Sequence, residues 1–166
     1  MILAIDVHYK EKYAKAVGIL FHCEDEKPKE IITTIIDEVA EYESGQFYKR
    51  ELPCILKLLK KIDLSVIDII IVDGHVYINN DKTFGLGGYL FKSLNELIPI
   101  IGVAKKSFVD TENVSFPLLR GESKAPLYVS SIGIEIDYAV KKIDKMKGKY
   151  RIPFLLKELD RLTKED

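Results

Sequence analysis

Residues 66–75 read VIDIIIVDGH, an apolar, β-branched run that stops abruptly on an acid and a glycine. A short run of this kind, closed by a turn signal, predicts a buried strand over Val66–Val72 that delivers Asp73 at its end. The chain opens the same way. MILAIDV at Met1–Val7 predicts another buried strand, with Asp6 near its end. A carboxylate is costly to desolvate unless it is paired or holds a cation, so two strands that each finish on an acid need an explanation.

The rest of the pattern fills in around these two strands. Tyr13–Cys23 alternates well enough to be a second strand paired with the first across a turn at His8–Lys12. Ile31–Val39 predicts a third strand in an antiparallel meander, and Glu41–Phe47, with its glycine, predicts a loop. Apolar residues recur at helical spacing over Arg50–Lys61, with Pro53 near the tolerant front end. A helix over Phe84–Leu97, a strand over Pro99–Ala104 and a strand over Pro126–Ser130 follow. Helices over Asp137–Lys147 and Pro153–Lys164 complete the chain. The expected fold class is α/β: a mixed sheet with antiparallel strands first and parallel strands after, flanked by helices, in one domain spanning residues 1–166.

Composition narrows the class without choosing a function. The 166 residues are 47% hydrophobic, enough for a full core, and no apolar run is long enough to span a membrane. Met1–Ile5 is too short for a secretory signal. Cys23 and Cys54 form no CxxC pair, which fits free thiols in a reducing cytosol; His22 beside Cys23 lacks a third metal ligand. With 25 basic and 26 acidic residues the net charge is −1, which neither advertises nor excludes a nucleic-acid binder, since a local basic groove suffices.

Asp6 and Asp73 fall on strands expected to be neighbours, and Glu51 opens a helix. Three such acids make a hard-oxygen site suited to Mg²⁺, able to activate water and stabilise a leaving oxygen in phosphodiester hydrolysis. For any one of these acids alone, a strand-end cap or an ion-pair partner is the favoured explanation. Pattern by itself reaches an α/β domain with a candidate metal site.

The ordered segments around these acids go further. Asp6-Val7-His8-Tyr9 ends the first strand. Tyr42-Glu43-Ser44-Gly45 leads to Lys49-Arg50-Glu51, with Pro53 two positions on. Val72-Asp73-Gly74-His75 and Gly102-Val103-Ala104-Lys105 follow, and Tyr150-Arg151-Ile152-Pro153 leads towards Asp160. In order and spacing this set resembles the endonuclease V family, which cuts nucleic acid near deaminated bases such as hypoxanthine. The resemblance implies an RNase H-like fold, Asp6 and Asp73 as direct metal ligands, and Glu51 completing the cluster. It also implies Lys105 facing the phosphate, Mg²⁺ as the cofactor with Mn²⁺ able to substitute, and a DNA or RNA partner in single-stranded or distorted form. Tyr42 corresponds to the wedge that fills the gap left by a displaced base, and Gly45 to the close backbone approach beside it. His75 either orients a phosphate or water or is a satisfied buried histidine. A monomer is compatible with all of this.

Departures cluster outside the acids. Ser44 replaces a wedge-loop proline, and Val76 replaces a glycine that lines the base pocket in the family, so the valine is expected to narrow or reshape that pocket. Asn79-Asn80-Asp81-Lys82 replaces His-Pro-Arg. Gly85-Leu86-Gly87-Gly88-Tyr89 replaces Gly-x-Ala-Ser-His, and a Gly-His pair becomes Gly133-Ile134. Glu135 and Asp137, beside that last change, are candidates for a further metal ligand or, alternatively, helix N-terminal acids that complement the dipole.

Overall fold

In the computed structural model, which describes residues 1–166, alternation along the strands sorts side chains onto two faces, and each face receives two helices. The elements are β1 (Ile2–Tyr9), β2 (Ala14–Phe21), β3 (Glu30–Ile36), α1 (Tyr48–Leu59), β4 (Ile69–Asp73) and α2 (Leu86–Ser93). There follow β5 (Ile100–Ala104), β6 (Phe116–Leu118), β7 (Leu127–Ile132), α3 (Ile136–Lys145) and α4 (Phe154–Lys164). The strands form one sheet in the order β3-β2-β1-β4-β5-β7-β6.

β1, β2 and β3 form the antiparallel meander, and β4 and β5 add to β1 in parallel, as the sequence predicts. The parallel part stops there. β7 runs antiparallel to β5, and β6, a three-residue strand the sequence reading misses, pairs antiparallel on its far side. The cause lies in the connection: a parallel neighbour needs a crossover, usually a helix, and residues 105–126 contain none.

On one face Leu3, Ile5, Ile70 and Val72 pack with Ile55 and Leu58 of α1 and Leu90 of α2. On the other, Ala4, Ile71, Ile101 and Val103 pack with Ile143 of α3 and Leu155 and Leu159 of α4. Each large aliphatic side chain removed from water in this way contributes about 1.5–3 kcal/mol. α1 buries Glu51, Cys54, Ile55, Leu58 and Leu59, a helical repeat whose first member is an acid. It begins two residues before the expected start, so Pro53 sits in its second turn and forgoes one backbone hydrogen bond. α2 is shorter than expected because Asn95 and Glu96 adopt positive φ, which ends the helical path. No helix is long and apolar enough to cross a membrane, and Cys23 and Cys54 are unpaired.

Candidate active site

The parallel register of β1 and β4 sets Ile5 opposite Val72, which makes Asp6 and Asp73 neighbours one step further on. Asp6 continues the series Ile2, Ala4, and Asp73 the series Ile69, Ile71, so both carboxylates belong to the face covered by α4. Lys105 extends Ile101 and Val103 in the same way, one residue past β5. α4 brings Asp160 to the group, and Thr163 on the same helix donates to Asp6 Oδ2 at 3.2 Å and to the Asp160 carbonyl at 2.7 Å. Asp6, Asp73, Lys105 and Asp160 line one recess. Glu51 approaches from α1, on the other face; it is only 4% exposed, and its Oε2 has no hydrogen-bond partner.

Like charges gathered away from water hold their protons more tightly. Asp6 is pushed up to about 6, first by burial and then by the Asp73 charge, against the pull of the Val7 N–H that donates to it at 2.9 Å. Glu51 is raised well above the ordinary carboxylate range by burial, with Asp6 and Asp73 adding to the effect. Asp73 keeps an open side to solvent and is raised by the protein packed around it, with Lys105 the main opposing charge. No three His, Cys, Asp or Glu side chains are gathered tightly enough to form a ready-made metal-ligand set.

The other expected site residues lie in different surroundings. Tyr42 and Gly45 sit on the exposed loop before α1, where the Tyr42 ring meets Phe47 edge-on at 6.3 Å; neither residue lines the recess. His75 is buried. Its Nε2 lies 2.9 Å from the Lys106 carbonyl, its ring packs on Phe108 at 4.4 Å, and its Nδ1 is unpartnered. Burial lowers its proton affinity. Gly102 explains its own identity: a Cβ there would fall 2.6 Å from the Gly74 carbonyl and 2.7 Å from Ser130 Oγ, so only glycine lets β5 pass beneath the Asp73-Gly74 turn.

Val76 is fully buried and packs towards α2, its Cγ2 2.9 Å from where a Cβ on Gly87 would lie. The valine and Gly87 therefore occupy one volume between them. Gly87→Ala is expected to cost about 1–2 kcal/mol despite the better helix former, because valine cannot swing aside. Val76→Ala in the same chain should recover part of that loss; strictly additive effects in a denaturant double-mutant cycle would show that the two do not meet. Glu135 and Asp137 cannot join the acids. Because β7 is antiparallel, its end at Ile132 pairs with Ile100, at the edge of the sheet opposite Asp73, and the two acids instead begin α3.

Two residues carry more than the sequence reveals. The sequence marks Asp160 only as part of the last helix. Arg120, 5% exposed, donates to the carbonyls of Met146 (2.7 Å), Gly148 (3.1 Å), Tyr150 (2.7 Å) and Arg151 (3.3 Å). Arg151 in turn donates to the carbonyls of Lys105 and Pro126, both at 2.7 Å. One arginine thus fixes the loop that forms a wall of the recess. Nothing in the sequence around Arg120 marks it. Tyr89, where the resemblance expects histidine, stacks on Tyr48 at 3.9 Å and meets Phe84 edge-on.

A mixed sheet with acids at the ends of two adjacent parallel strands, joined by acids from helices on either face, defines an RNase H-like nuclease fold. The Endonuclease V family model matches residues 1–161, and the chain belongs to that family, endonucleases that hydrolyse phosphodiester bonds. Among solved structures, human ENDOV superposes with a TM-score of 0.77 at 21% identity, over 98% of this chain and 82% of that one. Endonuclease V from Ciona intestinalis, solved with a 24mer DNA containing an inosine followed by a ribo-adenosine, gives 0.79 at 18% identity, over 98% and 83%. Endonuclease V from Bacillus subtilis gives 0.79 at 18%, over 98% and 77%. At these identities the likeness is one of fold. No curated protein sequence matches the chain significantly.

Proposed function

We propose that this endonuclease is divalent-metal-dependent, using Mg²⁺ or in its place Mn²⁺, and cuts DNA or RNA beside a deaminated purine such as inosine, in single-stranded or distorted regions. The observation that carries the metal is Glu51: a buried acid with an unpartnered oxygen, facing two further acids whose charges raise its proton affinity. A hard cation relieves that repulsion, and all the donors are carboxylate oxygens. Asp6 and Asp73 would hold it, with Glu51 and Asp160 beside them. Bound there, it supplies Lewis-acid stabilisation of the phosphoryl charge. Lys105 offers a cation to the phosphate from the same recess, and Thr163 fixes the orientation of Asp6. Family membership and the inosine-containing DNA bound by the Ciona relative support the substrate.

The test is cleavage of end-labelled single-stranded DNA and RNA, each with and without one inosine, in Mg²⁺ and in EDTA. Metal-dependent cutting beside inosine is expected. Equal cutting of plain strands would leave a nuclease without base selectivity, an outcome the Tyr89–Tyr48 stack in place of a histidine would then explain. Binding should be strongly salt-dependent. With Lys105, Arg151 and Lys157 lining the recess, affinity for a single strand should fall about twenty-fold between about 50 and 200 mM salt. Lys157→Ala should lower the log–log slope by about 0.7; an unchanged slope in anisotropy titrations would remove Lys157 from the strand path.

A further inference from the structure

The recess that holds the carboxylates encloses about 340 Å³ in all, and between the sheet and α4 its walls turn apolar, with Ile71, Val103, Leu127, Ile152, Leu156 and Leu159. Phosphodiester hydrolysis does not account for this apolar depth, because the reacting atoms are all polar. Its volume falls within the roughly 300–1,000 Å³ usual for ligand pockets. Its mouth sets Lys105, Arg151 and Lys157 beside the acids, and carries Tyr150, 58% exposed, with the Lys149 ammonium 5.4 Å from its ring centre. Arg120 holds Tyr150 and Arg151 in place through their carbonyls, so this wall is formed before any ligand arrives.

Resting on the nuclease reading above, we infer that this cavity is a second base subsite, which takes the nucleobase of a nucleotide flanking the scissile phosphate. The occupant follows from continuity and charge. Because the carboxylates and the apolar walls share one recess, a strand whose phosphate lies against Asp6, Asp73 and Lys105 has its next base beside those walls, and Arg151 and Lys157 offer cations to its backbone. The aliphatic walls take the face of a base by apolar contact, and Tyr150 at the mouth supplies the one aromatic platform. An unpaired base edge is costly to bury against apolar walls, so the base packs by its face with its edge towards the polar mouth, and the subsite discriminates little between bases. A base held there cannot be paired, so the nuclease requires at least one unpaired nucleotide beside the cut.

The experiment uses inosine-containing single strands in which the nucleotides around the cut are replaced, one at a time, by an abasic tetrahydrofuran unit. At one position KM should rise about ten-fold with kcat nearly unchanged, as expected from the loss of one stacked base. Leu156→Trp, at a half-buried wall position, fills the cavity and should raise KM for the intact strand to the abasic level, erasing the difference. Leu156→Ala, which leaves the cavity open, should keep it, and thermal unfolding of both variants checks the fold. Abasic units tolerated at every position, or Leu156→Trp cutting and binding as the parent does, overturn the subsite. Binding of the same strands by anisotropy separates this from the nuclease reading. Position-dependent abasic weakening without cleavage keeps the subsite and rejects the nuclease; cleavage without it does the reverse.

Discussion

Asp73→Asn is expected to abolish cleavage, by about a thousand-fold or more, while the protein stays folded. The change keeps the shape of the side chain and removes its charge from the open side of the recess, where the scissile phosphate and its cation would meet it. Asp73 is a solvent-reaching residue at a strand end, so no core packing is lost with it. The same substitution has a second, independent signature. The Asp73 charge is the second cause of the raised proton affinity of Asp6, so Asp6 should titrate below its parent value of about 6 in the variant. Single-turnover cleavage in Mg²⁺ and a carboxyl-carbon NMR titration of Asp6 read the two effects. Cleavage at the parent rate would take Asp73 out of the chemistry altogether.

Glu51→Gln is expected to separate stability from activity. Glu51 binds its proton more tightly in the folded chain than in the unfolded one, where its ordinary value is 4.5. Its contribution to stability is therefore complete below that value and is lost as pH rises towards the folded one. Asp6 acts in the same direction between 3.8 and about 6, a difference worth up to about 3 kcal/mol. The metal-free protein should accordingly be most stable in mild acid and weaken towards neutrality. Glutamine carries no charge to bury, so the variant should melt about 5 °C or more above the parent at neutral pH without metal, and show a flatter pH dependence. Divalent cations should raise the melting temperature of the parent more than that of the variant, and the variant should cleave poorly. A parent melting curve independent of pH from 4 to 8, matched by the variant, would show that Glu51 pays no penalty in the fold.

Much of this was legible from the chain itself. Unbroken apolar runs announce β1, β4 and β5, and their period of two puts Asp6, Asp73 and Lys105 on one face. The helical repeat of α1 likewise places Glu51 in line with Cys54, Ile55 and Leu58, so an acid on a core face was visible before any coordinates. What was missed depends on long-range geometry. The direction of β7 decides where Glu135 and Asp137 fall. A clue was present, since residues 105–126 show no helical pattern to make a crossover, but periodicity reports an element and not its direction. β6 is three residues long, two of them exposed, too short to carry a pattern. The proximity of Val76 to Gly87 is set by how α2 docks, which no local pattern reports. Asp160 looks like any solvated acid on an amphipathic helix until Thr163, fully buried one turn on, is seen to reach Asp6.

The pairing of Asp6 with Asp73 also sets what changes the gene can absorb. Each acid lies a fixed number of residues along a strand whose neighbours lock it in step. Adding or deleting one residue within Ile2–Ile5 would turn the carboxylate to the opposite face of the sheet, whereas the turn at Lys10–Tyr13 carries no such count. The first strand therefore works as a ruler: its individual aliphatic side chains can be exchanged, but its length cannot drift.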